Sequence, residues 1–406
     1  MKKILLPFLA FCFVVVLFIA FGNMGDNDKI SAFGEKTKKE NIIYIGVYEP
    51  LTGDYAQGGL SEALGIRYAN SVCHTVDIDG LTYEIKLVET DNATDEIGSA
   101  FAANTLVSSK ISAVLGSYSA NATASGISDF EKSGIPLVGI SCTSQSATEG
   151  SKNYFRMCYN DSFQSGIMAN FAYSMNLKHA AILTQTGDTY SKAAGKVFSD
   201  AFKQLGGEVT EFSFQLGQEN FRSLSREIAN SDADFVYMLS GSSEAKYFIN
   251  QSRSEGLVCP VLGPESWDSA LLLDEVTFTS GNVYFASEFD TGSSADPVSI
   301  EFSENFATWL SSDDERIAEN GGNAYASSAS AMAYDSYMLV VEAIKKANSS
   351  TPAAVAEAIR TITHKGLTGS ISFDEKGESL KRVAYIKTIN INSRAFELVQ
   401  TSSIGS

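Results

Sequence analysis

The stretch NIIYIGVYEPLTGDYAQGGLSEALGIRYAN, residues 41–70, decides the fold. Its apolar run Ile42–Val47 is short and rich in β-branched residues, which predicts a buried strand. A polar, glycine-containing loop follows. After it, the apolar residues of Gly59–Ser71 recur at the spacing of one helix face. A strand, a loop and a helix in this order begin a strand–helix–strand unit, so we expect a parallel sheet.

The same alternation continues along the chain. Further strands are predicted at 83–88, 113–116, 135–140, 154–157, 180–184, 209–214, 235–239 and 261–263. Helices are predicted at 97–108, 123–132, 163–175, 190–205, 221–230, 245–255 and 326–347. Parallel sheets of this kind carry helices on both faces. Because 406 residues exceed one ordinary core, we predict an α/β protein with two doubly wound, Rossmann-like lobes.

The N-terminus indicates export. Lys2 and Lys3 precede an apolar run from Ile4 to Phe21, and a polar stretch begins at Gly22. This pattern predicts a secretory signal peptide in residues 1–22, with an uncleaved N-terminal anchor as the alternative. Residues 23–40 are polar and predict a linker. The expected location is the periplasm or the outer face of the cytoplasmic membrane.

Composition and motifs exclude several classes of function. The chain has 48 acidic and 30 basic residues, a net charge of -18, which disfavours nucleic acid and anionic membranes as partners. Three histidines and no Cys-x-x-Cys spacing give no zinc pattern, and we expect neither a metal nor a cofactor. The turn after Val47 lacks Gly-x-Gly-x-x-Gly, and no Gly-x-Ser-x-Gly elbow occurs. We therefore do not expect an enzyme.

Two sets of loops form a candidate binding site, because ligands of parallel α/β sheets bind beyond the carboxyl ends of the strands. The loops 116–123 and 141–145 carry hydroxyls just ahead of predicted helices, which suits a carboxylate, although ordinary helix capping is the alternative. In the second half, Glu265 follows one strand, and Asp188 and Tyr190 follow another. A carboxylate and an aromatic face suit an ammonium group. Together the loops are complementary to an α-amino acid.

At these loops the chain resembles the periplasmic binding proteins of branched-chain amino acid ABC importers, the leucine/isoleucine/valine-binding type. The resemblance extends over about residues 42–391. Its marks are Leu51-Thr52-Gly53, Gly116-Ser117-Tyr118-Ser119, Gly134-Ile135-Pro136-Leu137, Phe155-Arg156, Gly263-Pro264-Glu265, Trp267-Asp268, Ala333-Tyr334-Asp335 and Gly366-Leu367-Thr368-Gly369. It implies lobe 1 at 41–160 plus 290–373, lobe 2 at 161–289 plus 374–400, and three hinge crossings between them.

The resemblance also implies partners and roles. A monomer would close around a free amino acid and dock on a membrane permease. The ligand carboxylate would contact Ser119 and Thr143. Its ammonium would contact Glu265 with help from Tyr190, and its side chain would contact Tyr55. The ligand-binding residues predicted in this way are Tyr55, Ser119, Asn121, Ser141, Cys142, Thr143, Tyr190 and Glu265.

Two departures from the family pattern leave the ligand's identity open. Asn121 would compensate for the hydroxyl that many relatives have where Ala120 stands, and Gly241 replaces a tyrosine of some relatives, which would widen the pocket. An exported sensor and a binding protein for small amides or peptides are the alternatives with the same fold.

Overall fold

The structure is a computed structural model, and the residues that it describes are 41–93, 95–277, 282–291 and 296–403. The predicted signal peptide or anchor at 1–22 and the predicted linker at 23–40 lie outside these residues. Among the residues described, no helix combines the length and the apolar character needed to cross a membrane.

The first lobe is built on a six-stranded sheet in the order β2-β3-β1-β4-β5-β6. Its strands are β1 (Ile42–Glu49), β2 (Thr75–Ile78), β3 (Leu81–Asp91), β4 (Val114–Gly116), β5 (Leu137–Gly139) and β6 (Tyr154–Arg156). Its connecting helices are α1 (Ala56–Val72), α2 (Glu96–Ser108) and α3 (Ala120–Lys132). All neighbouring strands are parallel except β2 and β3, which form an antiparallel hairpin at the edge.

The second lobe is built on a seven-stranded sheet in the order β15-β14-β11-β10-β9-β7-β8. Its strands are β7 (His179–Gln185), β8 (Glu208–Phe214), β9 (Phe235–Leu239), β10 (Val261–Gly263), β11 (Val283–Ser287), β14 (Val383–Asn390) and β15 (Ala395–Ser403). Its helices are α4 (Asp161–Ser174), α5 (Thr189–Gln204), α6 (Arg222–Ala229), α7 (Ser242–Ser254) and α8 (Ala270–Glu275). The edge strands β14 and β15 are antiparallel.

Between β11 and β14 the chain returns to the first lobe. This segment contains α9 (Pro297–Ser311), α10 (Asp314–Glu319), α11 (Ser328–Ala347), α12 (Pro352–Thr361) and the hairpin of β12 (His364–Gly366) and β13 (Gly369–Ile371). Helix α11 packs directly on α1, and Gly65 allows the close approach, because a Cβ there would stand 2.8 Å from the Cβ of Ala333.

Strand β9 shows why the apolar runs in the sequence become central strands. All five of its residues are buried. Val236 and Met238 pack into the core on one face of the sheet. Phe235, Tyr237 and Leu239 pack into the core on the other face. A strand covered by helices on both faces needs apolar residues at every position, which confirms the prediction of two doubly wound lobes.

The chain crosses between the lobes after β6, after β11 and after β13. The carboxylate of Glu288, just past β11, connects all three crossings. It accepts a 2.8 Å hydrogen bond from the backbone N–H of Tyr159 in the first crossing. It also accepts one of 2.8 Å from the ammonium of Lys381 in the third. Burial raises the pKa of Glu288, and the charge of Lys381 opposes this shift. Only 1% and 4% of these two side chains is exposed, so neither charge could be solvated if the other were removed.

We predict that Glu288→Gln lowers the free energy of unfolding by about 3 kcal/mol, because the buried ammonium of Lys381 loses its counter-charge. Glutamine can still accept the hydrogen bond from Tyr159, so the loss reports on the charge. Urea denaturation measures it. The control is Lys196→Ala, which breaks an exposed ion pair with Asp200 and should change stability by less than about 1 kcal/mol. Equal effects of the two substitutions would contradict the prediction.

Candidate functional site

A cavity lies between the lobes, at the carboxyl ends of β1, β4 and β5 on one side and of β7, β9 and β10 on the other. With its open mouth included, it encloses about 620 Å³. Strand ends of parallel sheets are where α/β proteins bind ligands. The lining residues are Tyr55, Tyr118, Ser119, Ala120, Ser141, Cys142, Thr143, Ser144, Gln164, Gln185, Asp188, Tyr190, Leu239, Ser240, Gly241, Glu265 and Ser266.

Seven of the eight residues predicted from the sequence line this cavity, and Asn121 does not. Ala120 is the first residue of α3 and faces the cavity. Successive residues of a helix point about 100° apart, and Asn121 is exposed to solvent. The side chain of Asn121 therefore does not supply the cavity with the polar group expected of it.

Ser119 prepares one end of the cavity for an anion. It is the N-cap of α3, and its hydroxyl oxygen accepts a 3.3 Å hydrogen bond from the N–H of Ala122. Capping uses a lone pair of the oxygen, so the hydroxyl proton stays available to a ligand. The first N–H groups of α3 have no partner within the helix. A hydroxyl and a helix N-terminus together form a favourable environment for a carboxylate.

The loop that follows β5 is held from behind by the buried guanidinium of Arg156. This group donates hydrogen bonds to the carbonyl oxygens of Cys142 and of Ser144, the latter at 3.1 Å. In a trans peptide the N–H points opposite to the carbonyl, so the N–H of Thr143 points away from Arg156. Thr143 itself lines the cavity. Its backbone is thereby oriented as a second donor for a carboxylate.

The hydroxyl groups of this loop have different partners. The hydroxyl of Ser141 donates to the buried carboxylate of Glu62 and is directed away from the cavity. The hydroxyl of Thr143 is hydrogen-bonded to Asp161 at the start of α4. Burial raises the pKa of Asp161 to about 6, and this hydrogen bond opposes the shift. The side chain of Ser141 is therefore a support for the loop rather than a free donor.

Two buried glutamates lie behind these loops. One oxygen of Glu49 accepts a 2.8 Å hydrogen bond from the N–H of Tyr118, and one oxygen of Glu62 accepts from Ser141. The other oxygen of each is buried, and the two carboxyl groups are within hydrogen-bonding contact of each other. Burial, and then the charge of Glu62, raise the pKa of Glu49 well above its usual range. Burial raises the pKa of Glu62 as well. Burial and the contact between the two carboxyl groups therefore favour a proton held between them.

Glu265 lines the cavity from the second lobe, just past β10. Its N–H donates a 2.7 Å hydrogen bond to the side-chain oxygen of Gln164, and its side chain is hydrogen-bonded to Ser328. Only 5% of the residue is exposed. Burial, followed by the charge of Glu288, raises the pKa of Glu265 well above its usual range. No ion pair among the described residues includes it. This carboxyl group therefore lacks a counter-charge.

Tyrosines and amides complete the walls. The amide of Gln185, from the second lobe, donates a 2.8 Å hydrogen bond to the hydroxyl of Tyr55, from the first. Asp188 caps α5 by accepting from the N–H of Ser191 at 2.7 Å. Tyr118 packs where a side chain at Gly58 would otherwise stand.

Several lining residues were not among the sequence predictions. The clearest are Tyr118, Gln164, Gln185, Ser240 and Ser266. Each follows or faces a strand end. The expectation that ligands bind beyond the carboxyl ends of the strands therefore predicted the region in which these residues lie. The direction of an individual side chain, however, is set by packing, and no local pattern carries it.

The fold and this cavity define a two-lobed binding protein for a small ligand. The model of the family described as "Periplasmic binding protein" matches residues 42–394. The chain therefore belongs to the periplasmic binding protein family, whose members are solute-binding proteins. This confirms the family resemblance noted from the sequence.

Known relatives bind different ligands. The leucine-, isoleucine-, valine-, threonine-, and alanine-binding protein of Pseudomonas aeruginosa is 25% identical over 356 residues, 86% of this chain and 90% of the relative. A second similar protein is LivJ, the branched-chain amino acid transporter substrate binding protein of Streptococcus pneumoniae, whose structure was solved in complex with isoleucine. Its sequence is 26% identical to this chain. It has a TM-score of 0.75 and coverages of 89% and 99%. A solute binding protein from R. palustris in complex with benzoate shares the fold, with a TM-score of 0.78, 15% identity and coverages of 89% and 96%.

We predict that Glu49→Gln makes the protein less sensitive to rising pH. A glutamic acid whose pKa is raised by folding holds its proton more tightly in the folded state. Its contribution to stability is therefore full below the unfolded pKa and is lost as the pH rises. Glutamine keeps the hydrogen bonds to Tyr118 and Glu62 without a titrating proton. The variant's advantage should grow by up to about 1.4 kcal/mol per pH unit.

Urea denaturation of both proteins at several pH values between 6 and 8 tests this. The exposed Glu84→Gln on β3 is the control and should follow the wild type. Parallel stability profiles for Glu49→Gln and the wild type would rule out a shared proton.

Proposed function

We propose that this chain is the extracytoplasmic solute-binding component of an ABC importer and captures a free α-amino acid by closure of its lobes. The observation that carries the proposal is that one cavity is lined both by a group suited to an ammonium and by a group suited to a carboxylate. Glu265 is a buried carboxyl group without a counter-charge, and the helix start at Ser119 is a receptor for an anion. An α-amino acid supplies an ammonium group and a carboxylate a short distance apart.

The ammonium end is supported by the electrostatics of Glu265. An isolated buried carboxylate is costly, and in the absence of a cation it takes up a proton instead. The ammonium of a ligand would supply the missing charge and allow the carboxylate form. Tyr190 lines the same end of the cavity, and its ring would add a favourable aromatic surface.

The carboxylate end is supported by Ser119 and by the backbone of Thr143, in line with the roles implied by the family resemblance. We assign Ser141 and Cys142, which line the cavity, to its wall through their backbone, and Tyr55 to the side-chain end. We omit Asn121 from the site. The names of the P. aeruginosa relative and of the S. pneumoniae protein, which state amino-acid binding, agree with this choice of ligand.

Closure is supported by the way the lobes are connected. We place lobe 1 at 41–160 plus 290–373 and lobe 2 at 161–289 plus 374–400, so that the three crossings act as hinges. The hydrogen bond between Gln185 and Tyr55 spans the cleft and would form on closure. We propose an exported monomer that delivers its ligand to a membrane permease and carries out no reaction of its own.

We predict that Glu265→Gln weakens amino-acid binding at least about thirtyfold, because removal of one partner of a buried charge pair costs 2 kcal/mol or more. A thermal-shift screen of the wild type against the twenty amino acids, small amides and benzoates identifies the ligand first, since a ligand that binds only the folded protein stabilises it. Calorimetry then gives the affinity of each variant.

The matched control is Asn121→Ala, because Asn121 is exposed beside the cavity and should leave the affinity within about twofold. Stabilisation by amides or benzoates but by no amino acid would refute the proposed ligand. Unchanged affinity of Glu265→Gln would refute the role of that residue.

A further inference from the structure

The binding cavity continues past the residues that would hold the backbone of an amino acid. A second space adjoins it on the side of α7, and Tyr55, Tyr118 and Gly241 line both. The second space is also lined by Asp54, Ser242, Ser243 and Glu244. The three shared residues place the second space directly beside the cavity, where the side chain of a bound ligand could extend into it.

Gly241 opens the passage. The nearest atom that a Cβ on Gly241 would meet, its chain neighbours aside, is Oε2 of Glu244 at 3.9 Å, and no other described atom lies within 4 Å. Any larger residue would project into this room. The absence of a side chain at position 241 thus exposes the carboxylate of Glu244 to the cavity.

The end of the passage is acidic. Glu244 is 95% buried, since only 5% of it is exposed. Its carboxylate accepts hydrogen bonds from the N–H of Gly217, at 3.1 Å to Oε1, and from its own backbone N–H, and Oε2 lies 3.9 Å from where a Cβ on Gly241 would stand. Asp188 and Asp54 are close enough that their charges act on Glu244. Burial, as the largest cause, raises the pKa of Glu244. None of the residues that line the two spaces is Lys, Arg or His.

A second polar group at this place has no partner. Ser240 lines the cavity next to Gly241 and is 4% exposed. Its hydroxyl oxygen is buried and makes no hydrogen bond within the described residues. Its backbone carbonyl, in contrast, accepts from the indole N–H of Trp267 at 3.0 Å. Buried hydroxyls are rarely left unsatisfied, so this one indicates a polar ligand group at the same end of the cavity.

From these observations we infer that the second space is the side-chain subsite for an amino acid with a cationic side chain, of the lysine, ornithine or arginine class. The inference rests on the proposed function and adds the chemistry of the side chain to it. The cation would pass Gly241, next to the hydroxyl of Ser240 in the main cavity, and end at the carboxylates of Glu244 and Asp54 in the second space. It would provide the positive charge that these carboxylates lack in the described lining.

The charge on the side chain can be tested without changing its length. Norleucine has a four-carbon side chain like that of lysine but carries no ammonium, and citrulline replaces the guanidinium of arginine by a neutral group. We expect lysine or arginine to bind the full chain at least about tenfold more tightly than its neutral counterpart, because the acidic end stays uncompensated with the neutral one. Calorimetry at low ionic strength gives the four affinities.

Glu244→Gln should remove this preference and leave binding of the neutral amino acid within about twofold. Glutamine can still accept the hydrogen bond from Gly217, so the loop keeps its support. Gly241→Leu should block the passage and weaken lysine more than alanine. The control is Glu227→Gln on α6, which is exposed and should change neither affinity.

The outcomes separate the two claims. Binding of leucine or isoleucine in preference to lysine would overturn the inference and leave the proposed function standing. Binding of no amino acid at all would overturn both. A preference for lysine over norleucine that survives in Glu244→Gln would also contradict the subsite, because the charge would then be recognised elsewhere.

Discussion

The structure depends on one buried carboxylate. Glu288 receives the N–H of Tyr159 from the first crossing and the ammonium of Lys381 from the third, while it stands itself at the start of the second. In this way Glu288 joins the three connections between the lobes, and the first and third also meet where Glu378 accepts hydrogen bonds from Arg156 and Asn160. A second buried ion pair, between Lys387 and Asp268 at 3.0 Å, connects β14 to the segment after β10. Buried pairs of this kind add little net stability, but they tolerate only one arrangement of the chain.

Burial away from water also determines whether the carboxyl groups of the cleft carry a charge. Next to the crossings the charges are compensated inside the protein, whereas Glu265 has no such partner and the glutamates 49 and 62 are left with each other. Uncompensated carboxyl groups hold protons or bind cations. The protein thus keeps its fixed cations, Lys381, Lys387 and Arg156, behind the binding loops. It leaves the cleft acidic, which favours ligands that bring a positive group.

Much of this was predictable from the sequence. The alternation of apolar strands and amphipathic helices predicted the class of fold, and the rule about strand ends placed the binding loops. The strands β2 and β11 to β15 were not predicted. Strands β2, β12 and β13 have only three or four residues, and no residue of the edge strand β15 is buried, so their apolar signal is weak. Strands β11 and β14 lie inside the sheet, and the sequence reasoning missed them. The positions of Tyr118 and Gln185 were not predicted either. Both depend on contacts with distant segments, Gly58 for the first and Tyr55 for the second, and such contacts leave no local pattern.

Helix capping and ligand binding use the same residue types at the same positions, and the direction of each hydrogen bond separates them. Ser119 caps α3 with a lone pair, so its proton remains for a ligand. Ser141, in the next loop, has the same hydroxyl group. Its proton is donated to Glu62, so it has no proton left to donate to an anion. The sequence around the two serines does not distinguish them. What distinguishes them is the buried carboxyl pair of Glu49 and Glu62, which lies far along the chain from Ser141. Which of the two serine hydroxyls can donate into the cavity is therefore set by a carboxyl group 79 residues away from Ser141 along the chain.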